Sequence, residues 1–121
     1  EAINLLPAHE FPTDKNAIEL FRSQWREQFE VRRDAEHIYQ QVSKSAWPAG
    51  IEYWQPLFFS QPLPSLFSYL PANTLIVNTG DLESAAERFW QDVNQRYESR
   101  RVDPMRPLLA PDTLWLRVDA L

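Results

Sequence analysis

Cysteine is absent, glycine occurs only twice, and no apolar run comes near membrane-spanning length. Without thiols there is neither a disulfide framework nor a thiolate metal site, a composition that fits a reducing compartment. Gly50 and Gly80 are too few for a loop that curls its backbone amides around a phosphate, and no G-x-x-x-x-G-K-[ST] motif occurs. The apolar stretches fall far short of the ~20 residues that cross a bilayer, and no signal-like segment opens the chain. The expectation is a cytoplasmic protein. Positive charge is also scarce: 12 Lys and Arg stand against 17 Asp and Glu, a net charge of −5. No long-range field therefore draws the chain toward a polyanion, and autonomous DNA binding is disfavoured.

What is present is enough for a core. The 121 residues are 44% hydrophobic and carry five Trp, four Tyr and seven Phe, large rings that each remove much apolar area from water. The length suits one domain. The first residue is Glu1, and a helical apolar period, Leu114-Trp115-Leu116, is still running toward Leu121. The expectation is a single-domain fragment, 1–121, of a larger protein.

Local patterns divide it further. Residues 1–12 read as a strand and turn stopped by Pro12. Over 13–46 the spacing predicts a helical hairpin: Thr13 is placed to cap a first helix bearing Ile18, Phe21, Trp25 and Phe29 on one face, and Asp34 a second bearing Ile38, Tyr39 and Val42. Residues 47–71 alternate prolines with rings, a density that forbids a long helix and leaves room for a turn or two around Ile51 to Phe58. Within 72–103, the run Leu75-Ile76-Val77 reads as a buried strand. Asp81 then caps a helix whose Leu82, Ala85, Ala86, Phe89, Val93 and Tyr97 share a face, with Phe89 and Val93 set to pack on that strand. Residues 104–121 form a turn and a truncated helix beginning at Asp112.

Four groups of residues raise chemical questions. His9 and His37 each sit beside an acid, but neither has the spacing of a metal pair. Glu52, next to Tyr53 and Trp54, has the apolar neighbours of an acid catalyst and equally those of an ordinary helix-surface carboxylate. Arg96, Arg100, Arg101 and Arg106, with Tyr97, can be read as a phosphate-contacting strip or as a solvated helix end. Tyr53, Trp54, Phe58 and Phe59 form a candidate docking face, since short helices rich in rings need a covering layer; internal core is the competing reading.

Three blocks carry a resemblance: Leu5-Leu6-Pro7-Ala8-His9-Glu10-Phe11-Pro12-Thr13, Ala49-Gly50-Ile51-Glu52-Tyr53-Trp54, and Leu63-Pro64-Ser65-Leu66-Phe67-Ser68-Tyr69-Leu70-Pro71. With the helices between them, they resemble the amino-terminal region of the bacterial transcription-repair coupling factors across essentially the whole chain. More loosely they are similar to the excision-repair helicase UvrB, in which the apolar strand after Tyr-Leu-Pro ends in the acidic pair of an ATPase. Here those positions are Thr79 and Gly80, a departure that implies a catalytically silent module.

The resemblance implies an α/β, helix-rich fold: the second part of a degenerate RecA-like layer, with one or two core strands and four or five helices, resuming after an inserted domain. It implies a non-catalytic scaffold that binds neither ATP nor metal, within a parent whose ATP- and Mg-driven motor displaces stalled RNA polymerase from double-stranded DNA. That parent recruits excision repair through UvrA. The fragment's own partners would be other domains of its chain. The alternatives are a nucleic-acid-binding module using Arg96 to Arg106 and a small hydrolase using Glu52 or His37.

Overall fold

Helix dominates the computed structural model, which describes residues 10–120. Residues 1–9, with the expected first strand and His9, lie outside the described residues. The chain divides into two compact units, Glu1–Ser60 and Gln61–Leu121.

In the first unit, α1 spans Lys15–Gln28. Its cap is Asp14 rather than Thr13: the Asp14 carboxylate accepts from the N–H groups of Asn16 (2.8 Å) and Ala17 (3.1 Å), satisfying donors that the first turn leaves open. Ala17, Ile18, Phe21 and Trp25 are buried along one face, as their spacing dictates. The helix stops at Phe29, whose backbone turns extended, and the Trp25 indole N–H donates to the Glu30 carbonyl at 3.4 Å as the chain departs. The short α2, Ile38–Ser43, packs against α1 through Ile38, Tyr39 and Val42. Asp34 is not its cap; His37 holds that position, and the Asp34 carbonyl accepts from the His37 N–H at 3.0 Å.

α2 ends in a left-handed residue. Ser45 has φ +59°, with the Ser45 N–H on the Val42 carbonyl (2.9 Å) and the Ala46 N–H on that of Gln41 (2.9 Å). These are the two bonds of a Schellman motif, in which glycine is the usual occupant. A second reversal follows at Pro48-Ala49-Gly50-Ile51. The Ile51 N–H donates to the Pro48 carbonyl at 3.1 Å, and Gly50 at φ +83°, ψ +12° is the third residue of a type II turn, which requires positive φ. It launches a 3₁₀ helix, Ile51–Phe58.

That helix closes the core. At three residues per turn, Ile51, Trp54 and Leu57 stack on one side and are buried, with Phe58 beside them. Phe58 lies 4.7 Å from the ring centres of both Phe11 and Phe21, and Trp54 lies 6.2 Å from that of Trp25. The Gln24 amide donates to the Phe59 carbonyl at 2.7 Å, pinning the end of the 3₁₀ helix to α1. Each buried ring is worth roughly 1.5–3 kcal/mol of transfer free energy, so this aromatic stack is the unit's main source of stability.

The second unit is built around α3, Leu82–Arg100, capped by Asp81, whose carboxylate accepts from the Ser84 N–H at 3.2 Å. Val93 is its buried residue. Short 3₁₀ turns at Pro111–Thr113 and Val118–Ala120 pack on α3 where an α-helix from Asp112 was expected; Pro111 starts a turn, but too few residues follow to propagate a helix. The Trp90 indole donates to the Leu116 carbonyl at 2.8 Å, and Phe89 meets Trp115 edge-on at 6.3 Å.

The expected core strand is not formed. No strand occurs among the described residues, and Leu75, Ile76 and Val77 are 84%, 60% and 72% exposed. Phe89, expected against that strand, is 47% exposed. A strand needs a neighbour to take its N–H and C=O groups, and within these residues there is none. No described helix is long and apolar enough to cross a membrane.

Candidate docking surface

The four rings singled out in the sequence do not share one surface. Trp54 and Phe58 belong to the core at 2% exposure each, whereas Tyr53 is exposed and Phe59 half-buried. The 3₁₀ period explains the separation. Residues three apart eclipse one another, so Ile51, Trp54 and Leu57 turn inward together and Tyr53 is left on the opposite side.

Exposed apolar side chains concentrate instead in the second unit. Leu66, Phe67, Tyr69 and Leu70 stand out from the 3₁₀ helix Leu66–Tyr69 and its exit, and Leu75, Ile76 and Val77 follow after a hydrogen-bonded turn in which the Thr74 N–H donates to the Pro71 carbonyl at 2.9 Å. Leu82 and Phe89 add to them from α3. Apolar exposure of this extent is uncommon on a self-sufficient domain and marks interaction surfaces. Sequence reasoning located the Leu-Ile-Val run but assigned it to the interior, since the same composition signals a buried strand wherever partner strands exist.

Gly80, which the resemblance to UvrB sets against an ATPase acidic residue, has a backbone reason for being glycine. Gly80 has φ +99°, and a Cβ built there would meet nothing within 4 Å. Space is free, but side chains rarely tolerate that dihedral. An acidic residue at Gly80 would require the turn into α3 to be rebuilt. Asp81, next along, is occupied as a helix cap; hydrogen bonding to Ser84, from its side chain and then its backbone N–H, holds the Asp81 carboxyl below its ordinary range. Thr79, Gly80 and a capping Asp81 do not fit the role of holding Mg-ATP.

The other candidates are dispersed. His37 is fully buried, its ring edge-on to Trp25 at 5.4 Å, which places it in the core and away from solvent. Glu52 is exposed at the start of its 3₁₀ helix. Arg96 approaches Asp92 at 3.8 Å and Arg101 pairs with Glu98 at 2.6 Å, so carboxylates on α3 already engage half of the arginine strip. No group of three His, Asp or Glu residues suited to a metal occurs among the described residues. An open cleft of about 580 Å³ between α3 and the closing turns is lined by Trp90, Asn94, Pro111, Asp112, Arg117 and Asp119. Within it Arg117 and Asp119 pair with each other at 3.3 Å.

No family model matches the chain. Among curated proteins it is 78% identical, over all 121 residues, to the transcription-repair-coupling factor of Escherichia coli strain K12. It is 62% identical over 119 residues to the protein of the same name from Haemophilus influenzae. In each case the chain spans 10% of the relative's length.

Proposed function

We propose that this chain, homologous throughout to one tenth of the transcription-repair-coupling factors, is a non-catalytic scaffold segment of such a factor. The parent is read as an ATP- and Mg-dependent DNA translocase of the cytoplasm that displaces RNA polymerase stalled at lesions and brings in excision repair through UvrA. The observation that carries the reading is identity of 78% along the entire chain. Such agreement over all 121 residues is that of one protein's segment in two versions rather than of a shared motif.

The physical role follows from the two units. The first is self-sufficient: caps, turns and an aromatic core satisfy one another. The second leaves Leu75, Ile76 and Val77 in water, at a cost of about 25 cal/mol for each Å² of apolar surface left uncovered. In the parent these residues pair into a sheet as a core strand of the degenerate RecA-like, UvrB-like layer, and the segment works by docking to other domains of its own chain. The misfit of Thr79 and Gly80 to Mg-ATP supports a scaffold with no chemistry of its own.

Ile76→Asp tests this in two settings. In the isolated chain the site is open, so the substitution should change stability by under about 0.5 kcal/mol. In the full-length factor the same carboxylate would enter a sheet, and the amino-terminal unfolding transition should lose about 2 kcal/mol or more. Equal, small effects in both settings would refute the docking role.

A further inference from the structure

Among the described residues, no carboxylate pairs with the guanidinium groups that serve Tyr39. Arg22 Nε and Arg26 Nη1 donate to the Tyr39 hydroxyl oxygen at 3.3 and 3.2 Å, and the Arg22 guanidinium lies over the Tyr39 ring at 5.8 Å. The ion pairs among the described residues are Arg32 with Asp34, Arg96 with Asp92, Arg101 with Glu98 and Arg117 with Asp119. Neither Arg22 nor Arg26 takes part in one. Glu19, a turn earlier on α1, acts on Arg22 through space only.

Tyr39 itself is 5% exposed, so its oxygen is fixed where α1 and α2 meet. A phenol has one proton to give and a limited capacity to accept. With that capacity filled by two cationic donors, the O–H must be directed away from both, and each guanidinium keeps most of its N–H groups for something else. Arg22 is half-buried and Arg26 exposed, so those groups are accessible. A cluster that presents donors and no competing acceptor is matched to an oxyanion. The arginines lie one helical turn apart, ~5–6 Å between their Cβ atoms, a span that a tetrahedral anion bridges with separate oxygens more readily than a planar carboxylate does.

We propose that Arg22, Arg26 and Tyr39 form a phosphate-binding site, taking the oxygens of free phosphate or of a nucleic-acid backbone. With a net charge of −5 on the chain, recognition at this point rests on local hydrogen bonds rather than on long-range attraction.

The test follows the arginine Nε–Hε resonances of the full 121-residue chain as inorganic phosphate is added, against sodium chloride at matched ionic strength. The Arg22 and Arg26 signals should shift saturably at millimolar phosphate, with Arg32 and Arg33 unmoved. Arg26→Gln, at an exposed position, and Tyr39→Phe, which keeps the ring, should each weaken binding at least tenfold while far-ultraviolet circular dichroism stays unchanged. A single-stranded oligonucleotide that moves the same signals at lower concentration identifies the backbone phosphate as the source; one that does not identifies the free ion. Absence of saturation, equal shifts with chloride, shifts spread over all arginines, or undiminished binding in the two folded variants would each overturn the proposal.

Discussion

Replacing Phe58 with Ala removes the ring at the centre of the first unit's core. Phe58 is 2% exposed and stacks 4.7 Å from Phe11 and from Phe21, with Trp47 at 6.1 Å. Large-to-small changes at such sites cost about 3–5 kcal/mol, because the transfer free energy of the ring is lost and the neighbours only partly collapse into the cavity. A unit spanning Glu1–Ser60 has only roughly 3–9 kcal/mol in total at the usual 0.05–0.15 kcal/mol per residue. Phe58→Ala should therefore leave the first unit barely folded or unfolded at room temperature. Phe89→Ala provides the contrast. That ring is 47% exposed and meets a single ring, Trp115, edge-on, so its loss should cost about 1 kcal/mol. Urea unfolding followed by tryptophan fluorescence reads both variants, since Trp25 and Trp54 lie in the first core and Trp90 on α3. The reasoning fails if the two substitutions shift the midpoint equally, or if Phe89→Ala is the more damaging.

The two left-handed residues of the first unit should respond in opposite directions. Ser45→Gly relieves a side chain at φ +59° and should raise stability by up to about 1 kcal/mol, while Gly50→Ala at φ +83° should lower it by at least as much; thermal melts that move the same way for both would contradict the turn assignments. Tyr39 should titrate below 10.0, because burial pushes its phenol up but hydrogen bonds and charge from Arg22 and Arg26 outweigh that. A depressed acid adds stability that is complete above the unfolded value and is lost as pH falls through the folded one. The first unit should accordingly gain stability as pH climbs toward 10.0. Phenolate absorbance against pH, as the difference between the chain and Tyr39→Phe, isolates that step; a Tyr39 step at or above 10.0 would refute it.

Where an element is stabilised by residues close to it in sequence, the pattern of residues alone determined it. Ile18, Phe21 and Trp25 recur at helical spacing, so α1 was bound to bury that face, and Asp81 before the apolar stripe at Leu82 marked the start of α3. The prolines between 47 and 71 ruled out a long helix for a local, steric reason. The lack of a glycine-rich phosphate loop in this chain was equally plain, because with two glycines folding cannot supply one. Tertiary structure decided whatever depends on a partner. Trp54, Phe58 and Tyr53 are alike in composition, and only the fold separates them: the 3₁₀ period turns Trp54 inward with Ile51 and Leu57 and leaves Tyr53 in water, while Phe58 is buried by its contacts with Phe11 and Phe21. The convergence of Arg22 and Arg26 on Tyr39 spans two helices and leaves no local signature. Leu75-Ile76-Val77 shows the distinction most clearly: the sequence carries its tendency to form a strand, but a strand exists only when another backbone takes its hydrogen bonds, and within these residues no backbone does.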